Sequence, residues 1–578
     1  MKENRRREWI FPEEGSEEQD CPGVHPVIAG VLKRRGVLSR EDMEEFLSDR
    51  PRLTYDPFLM KDMQAAVEVI ADAVDKGERI CIYGDYDADG VTSSSLLYTL
   101  LGRVTENLDY YIPCRFEEGY GLNKEAVRSI AAEGTRLLIT VDCGSVSGEE
   151  VELAKELGMR VIVTDHHNIK GGRAADCLLI NPKQEDCPYP FKELAGCGVA
   201  FKLAQALQRY LEAGGDDRIK KGDVTDLLDL VAVATIGDIV PLVRENRSLV
   251  KYGLNVLNQG KRPGLRALIK GVGLKLGAVT SEQVAFVIVP HLNAAGRMIS
   301  AKKGVELLTL QDPGPEGDRA RAEAVAFLAE NNKERKRIQE ETYEACVALM
   351  MDGRPDDLFQ VIYAEEAHEG IAGIVAGKIK DLRCRPVVVV TPAAEGFLKG
   401  TGRSVEGVDL YRLLEAHSHL FQRFGGHSGA CGFLMAKENL EALREGLSQA
   451  MEELVRRDPE ALTERICVDG LVEASEVTMD FLKETSRLGP FGHKNPEPLF
   501  AVRQGEIRKV AFMGERSQHA RFQLAGPDGG VLGCILFQNA ALYEELLREG
   551  ARADAVGRLD INVWNGVAKI QFVITDLR

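Results

Sequence analysis

RICIYGDYDADGVTSSSLLYTLLGR, residues 79–103, reads as a strand, an acidic turn and a helix in succession. RICIY is a short apolar run of strand type, and VTSSSLLYTLLGR has helical character. Between them Asp85, Asp87 and Asp89 alternate, so in extended chain they share one face. Gly90 then turns the chain into a helix expected to start near Val91. Three acids on one face repel one another unless something positive lies among them. A divalent cation with a preference for hard oxygen ligands, Mg²⁺ or Mn²⁺, is the simplest remedy. A D-x-D string by itself is an exposed, solvated turn, so the weight falls on what surrounds it.

The same pattern recurs along the chain. LLITV (137–141) ends at Asp142, and RVIVT (160–164) leads into Asp165, His166 and His167. LVAVATIG (230–237) reads as a fourth apolar run and ends at Asp238. Helical segments at 62–77, 125–134 and 151–158 alternate with the runs, which indicates a parallel sheet covered on both faces. Parallel strands bring their carboxyl ends together, where open α/β sheets bind ligands. Asp87, Asp89, Asp142, His166 and Asp238 could then hold two cations about 3.5–4 Å apart, a pair that activates water for in-line displacement at phosphorus. Adjacent side chains diverge in extended backbone, so one histidine is free to bind metal while the other faces substrate.

Length and composition frame this reading. The chain has 578 residues, 44% hydrophobic and 28% charged, which suits three or four packed domains. Residues 1–60 read as a lead-in of short helices and loops. Residues 61–312 form the first α/β domain, and 313–353 form a long connector helix of roughly 50 Å. A smaller α/β domain follows at 354–458. The last segment, 459–578, consists of short strands and turns, a β-barrel of OB-fold type. Net charge is −17, which argues against a protein that coats duplex DNA by charge alone. No apolar run approaches the roughly 20 residues of a membrane span. The start, MKENRRREWI, lacks an apolar signal core, so a cytoplasmic location is expected. The 12 cysteines include no CxxC pair, so they read as small buried apolar residues.

DYDADG, VDCGS and TDHH, in this order, resemble the DHH phosphoesterase superfamily. ATIGDIVPL (234–242), HLNAAGRM (291–298), HEGIAGIVAGKI (368–379), KGTGRS (399–404), GGHSGACGF (425–433) and GPFGHKNPEPLF (489–500) narrow the resemblance to the RecJ family of single-strand-specific DNA exonucleases, from about residue 25 onward. The resemblance implies a DHH domain at 61–312, a DHHA1 domain at 354–458 and a nucleic-acid-binding OB-fold at 459–578. It implies two Mn²⁺ or Mg²⁺ ions on Asp87, Asp89, Asp142, His166 and Asp238. Asp165 would hold a histidine in its binding tautomer, and His167 would contact the scissile phosphate or act as acid. Asn293 and Arg297 match a substrate-facing motif. Thr401 and Arg403 in KGTGRS, with Gly425, Gly426 and His427, match the phosphodiester-binding part of DHHA1. Arg115 in IPCRFEEGYG is a second arginine for the 5′ phosphate. In the barrel, Arg503, Arg508, Lys509, Arg516 and Arg521 surround Phe512 and Phe522, a mixture suited to single-strand binding.

The implied activity is 5′→3′ digestion of single-stranded DNA to 5′-mononucleotides in repair and recombination, by a monomer. A RecQ-type helicase and a single-strand-binding protein are its implied partners. Some residues depart from the family pattern: Tyr83 stands where many superfamily members have a metal-binding histidine, Cys143 replaces a frequent asparagine, and His291 replaces a frequent arginine. Two other readings compete. One is a nanoRNase or cyclic-dinucleotide phosphodiesterase, which the C-terminal barrel disfavours. The other is a non-catalytic single-strand-binding scaffold, which the full set of ligands disfavours.

Overall fold

The computed structural model describes residues 7–12, 23–115, 118–119, 121–169, 176–393, 396–564 and 566–578. They form two compact units. One comprises Leu32–Asn332 with Glu484–Glu497; the other comprises the described residues up to Val31, Lys333–Lys483 and Pro498–Arg578.

The lead-in holds an unexpected strand, β1 (Arg7–Ile10), which pairs in parallel with β12 (Glu464–Cys467). Trp9 is buried there and donates through Nε1 to Asp576 at 2.7 Å. An isolated four-residue strand carries no sequence signal of its own, because its partner lies more than 450 residues away.

The Leu32–Asn332 unit is built on a five-stranded, all-parallel sheet in the order β3-β2-β4-β5-β6. The strands are β2 (Ile80–Tyr83), β3 (Leu108–Tyr111), β4 (Leu137–Val141), β5 (Arg160–Thr164) and β6 (Leu178–Ile180). Every residue of β2 and β4 is buried, as expected of strands covered on both faces. LVAVATIG is a correction: Leu228–Gly237 is an α-helix, buried at every residue but the last. A short apolar run has no polar face to reveal its period, so strand and core helix look alike in sequence. The acidic turn also differs from expectation. The helix begins at Ala88, not near Val91, with Asp87 as its N-cap.

The second unit contains a sheet of β7 (Gln360–Tyr363), β8 (Val387–Pro392), β9 (Phe397–Arg403), β10 (Phe421–His427) and β11 (Ala430–Ala436), in the order β10-β11-β9-β8-β7. The GGHSGACGF string is the end of β10, a turn at Ser428–Gly429 and the start of β11. The helix Pro315–Asp352 has 38 residues, as its unbroken pattern indicated.

The C-terminal segment includes the short β13 (Gly470–Leu471) and five longer strands: β14 (Phe500–Met513), β15 (His519–Ala525), β16 (Val531–Leu536), β17 (Arg552–Trp564) and β18 (Val567–Leu577). β14 pairs with both β15 and β17, and β16 pairs in parallel with β18, which closes a five-stranded OB barrel. The helix Met479–Ser486 interrupts a region expected to be β.

Candidate metal centre

The centre forms where β2, β4 and β5 end. Asp87 caps the helix Ala88–Leu101 by accepting from the Asp89 and Gly90 amides at 2.9 and 3.0 Å. The Ala88 amide donates to Asn293 Oδ1 at 2.7 Å. The amides of the first three helical residues are thus all occupied. Gly90 is required here, because a Cβ would lie 2.4 Å from the Asp85 carbonyl oxygen.

Asp89, buried in the first turn, receives amides from a second helix start. Gly196 and Cys197 donate to its two carboxylate oxygens, each at 2.7 Å. These are the first residues of the helix Gly196–Ala213, whose positive end suits an anion. A Cβ at Gly196 would fall 2.6 Å from Asp142 Oδ1, so only glycine allows that helix start to reach the centre.

Three carboxylates converge on one imidazole nitrogen. His166 Nε2 lies 3.1 Å from Asp142 Oδ1, 3.5 Å from Asp238 Oδ2 and 3.8 Å from Asp89 Oδ2. Asp238 arrives as the C-cap of the buried helix Leu228–Gly237, so a helix end does what a strand end was expected to do. Asp89, His166 and Asp238 offer ligand atoms within 4.8 Å of one another, and so do Asp142, His166 and His167, and Asp85, Asp87 and Asp142. Asp85 was not among the expected ligands, although it is buried with Oδ1 lacking any hydrogen-bond partner.

Burial, and next the charge of Asp87, push the Asp85 carboxyl up to about 8. The same two causes take Asp89 to about 7, against the pull of its two amide donors. Burial with the charges of Asp89 and Asp87 takes Asp238 to about 8. Asp142 is raised well above the usual range by burial and by its four acidic neighbours. His166 is driven down to about 3 by burial and the neighbouring His167, so its ring is neutral and able to ligate. These groups repel until cations join them. Hard oxygens with one neutral imidazole fit Mn²⁺ or Mg²⁺.

Asp165 has a separate task. Its Oδ1 accepts the His166 and His167 amides at 2.7 and 3.1 Å and lies 2.8 Å from His167 Nδ1, while Oδ2 accepts the Ser145 amide at 3.0 Å. Burial would raise it, but these hydrogen bonds hold it below the usual range. The histidine it orients is therefore His167, whose own pKa is raised by that bond in spite of burial. Tyr83 is buried on the other face of the sheet, donates to the Gly121 carbonyl at 2.9 Å and stacks on Tyr111. It packs; Asp85, two residues on, joins Asp87 and Asp142 instead.

Two arginines flank Tyr86, which lies between Asp85 and Asp87. Arg115 sits 5.2 Å over its ring; burial, and next the charge of Asp85, push the Tyr86 phenol up to about 12, against the opposing charges of Arg115 and Arg297. Asn293 is spent on the Ala88 amide, so it positions the acidic turn. Ser145, Gly196 and Cys197 were missed in the sequence. The small-residue string AGCG at a helix start was the available sign for the latter two.

In the second unit, the expected substrate residues share one sheet. Thr401, Gly432 and Gly425 lie in register across β9, β11 and β10; Gly402, Cys431 and Gly426 form the next row, and Arg403, Ala430 and His427 the one after. A cavity of about 320 Å³ is lined there by Lys399, Thr401, Arg423 and Gly425. Arg403 donates to its neighbour's carbonyl at 2.8 Å, and His427 is exposed at the hairpin end. In the barrel, Phe522 is 1% exposed and belongs to the core, which corrects its reading as a base platform. Strand alternation turns Arg521 outward and Phe522 inward. Phe512 and the unforeseen Phe537 are 43% and 51% exposed.

Three family profiles match the chain: the DHH family N-terminal domain over residues 79–235, the DHHA1 domain over 357–453 and the RecJ OB domain over 468–576. The single-stranded-DNA-specific exonuclease RecJ of Bacillus subtilis is 36% identical over 556 residues, which covers 96% of this chain and 68% of that protein. Its counterpart from Escherichia coli is 34% identical and covers 98% of both chains. The crystal structure of RecJ in complex with Mn²⁺ from Thermus thermophilus superimposes with a TM-score of 0.82 at 29% identity, over 99% of this chain and 80% of that one. With matching motifs, fold and length, this chain belongs to the RecJ family of the DHH/DHHA1 phosphoesterases.

Proposed function

We propose that this chain is a metal-dependent exonuclease that degrades single-stranded DNA from the 5′ end to 5′-mononucleotides, in DNA repair and recombination. The observation that carries the reading is the meeting of Asp89, Asp142 and Asp238 on His166 Nε2, within a chain related to RecJ over its whole length. Asp87, Asp89, Asp142, His166 and Asp238 hold Mn²⁺ or Mg²⁺ in this reading, with Asp85 beside them. When bound, the cations supply a water nucleophile at neutral pH and neutralise charge at the phosphorus.

The chain's own groups do the rest. The Gly196 and Cys197 amides and the Asp87 cap keep the carboxylates aimed inward. His167 keeps a proton on Nδ1, shared with Asp165, and its side chain is 45% exposed, so the ring faces the phosphate and donates to a leaving or non-bridging oxygen. Arg115 and Arg297 bind the 5′ phosphate, and Thr401, Arg403, Gly425, Gly426 and His427 bind the strand from the DHHA1 sheet. Phe512 with Arg516 and Arg521 adds single-strand affinity on the barrel.

Among the described residues no helix is long and apolar enough to cross a membrane. We place the protein in the cytoplasm, as a monomer, working with a RecQ-type helicase and a single-strand-binding protein. The test is digestion of a 3′-labelled single-stranded 30-mer with Mn²⁺, beside the same strand in blunt duplex and a short RNA. Progressive shortening from the 5′ end of the single strand alone is the expected result. Equal digestion of the duplex, or cleavage of the short RNA only, would overturn it.

A further inference from the structure

Phe286 is the most exposed large hydrophobic residue described, at 75%. It lies in the π-helical turn Val284–Ile288, which runs directly into the helix Val289–Met298. The wide turn has a local cause. Pro290 has no amide to give the Phe286 carbonyl, and its ring would strike that carbonyl in a regular α-helix. His291 Nδ1 meets the next carbonyl, that of Val287, at 2.6 Å. The turn is therefore built into the sequence, and it leaves an aromatic ring in water on the helix that carries Asn293 and Arg297.

Asn293 holds the Ala88 amide at the start of the acidic helix, and Arg297 acts on Tyr86 between Asp85 and Asp87. Phe286 lies seven residues before Asn293, roughly 10 Å along the helix axis at 1.5 Å per residue. We infer that Phe286 is a stacking platform for an unpaired base of the strand whose phosphate lies at the metal centre. This rests on the proposed function and extends it to how a polyanion is held beside a cluster of carboxylates. Charge alone favours this weakly in a chain of net charge −17. A flat apolar ring attracts any base regardless of sequence, and such stacking contributes about 1–3 kcal/mol per base. A paired base has its faces covered by its neighbours in the duplex, so the platform also favours single strands. One ring is far too small a patch for a stable protein interface, which buries about 800 Å² per partner.

The experiment compares wild type with Phe286→Ala, Phe286→Leu and Phe286→Trp in the full-length, metal-loaded protein. A 2-aminopurine base is walked along the first nucleotides of a 5′-phosphorylated single strand. At one position wild type and Phe286→Trp should quench the fluorescence, while Phe286→Ala and Phe286→Leu should not. KM for the strand should rise about tenfold in the Ala variant, with kcat, Mn²⁺ affinity and Tm unchanged. An abasic nucleotide at that position should raise KM for wild type and leave Phe286→Ala indifferent. Equal KM and quenching in wild type and Phe286→Ala would overturn the inference and leave the proposed function standing. A wild type that cleaves no single strand would instead overturn the proposed function. Loss of self-association in Phe286→Ala, with strand binding unchanged, would assign the ring to a contact between copies and refute the platform.

Discussion

Two groups of buried charge lie in the same unit, and they are built in opposite ways. Lys202 and Glu245 are wholly buried and 2.6 Å apart. Thr54, Tyr189 and the Tyr55 backbone complete their hydrogen bonds. Each charge there has its opposite, and burial serves architecture. At the metal centre Asp85, Asp89 and Asp142 are as deeply buried, but what they face is mostly one another. Buried charge that is balanced marks a joint of the fold, whereas buried like charge marks a place that an ion completes.

The comparison breaks most decisively under substitution. Asp89→Asn should lower cleavage of single strand by at least about a thousandfold, because one metal position loses its charge. The metal-free Tm should stay close to wild type, since the loss of a repelling carboxylate offsets the one backbone amide, of Gly196 or Cys197, that the Asn side-chain NH2 leaves without an acceptor. A metal-free variant that unfolds well below wild type would show that the cluster is structural. Glu245→Gln should do the reverse. It strands Lys202 in the core at a cost of about 3–5 kcal/mol. Thermal unfolding should shift down by about 10 °C at roughly 2–4 °C per kcal/mol, while Mn²⁺ affinity of the folded protein changes little.

A smaller effect is set by pH. Asp85 and Asp238 keep their protons up to about 8 in the fold, whereas unfolded carboxyls lose them near 3.8. The native state then binds more protons than the unfolded chain across this window, so the cluster's contribution to metal-free stability falls as pH rises through it. Bound metal replaces those protons. The Tm increment from Mg²⁺ should therefore grow between pH 6 and pH 8.5, and Asp238→Asn should flatten that growth. An increment equal at both pH values in wild type would contradict the raised carboxyls.

The smallest effects belong to the barrel. Arg508 pairs with Glu506 at 2.9 Å, but both groups lie in water, which screens the pair, so it adds little to stability. Arg508→Ala should leave Tm within error. Arg521→Ala should leave cleavage of short strands intact and reduce the salt dependence of single-strand binding by about 0.7 in the log–log slope, one phosphate contact. An unchanged slope would remove Arg521 from the DNA-binding face.

The amino-acid sequence by itself determined the parallel sheet, the long helix Pro315–Asp352, the C-terminal barrel and most of the acids and histidines at the centre, though not the part Asp85 has in it. Local patterns carry these: apolar runs ending in carboxylates, an uninterrupted helical stretch, alternating short strands. Tertiary structure alone decided what depends on distant partners. It made LVAVATIG a helix, because a run buried on every side has no polar face to betray its period. It oriented His167 rather than His166 toward Asp165, and it sent Phe522 into the core while leaving Phe537 and Phe286 in water. It also brought the Gly196 helix start, more than 100 residues away in the chain, onto Asp89. Burial and hydrogen-bond partners across such separations belong to the folded chain, and they divide a string of ordinary aspartates into caps, braces and candidate ligands.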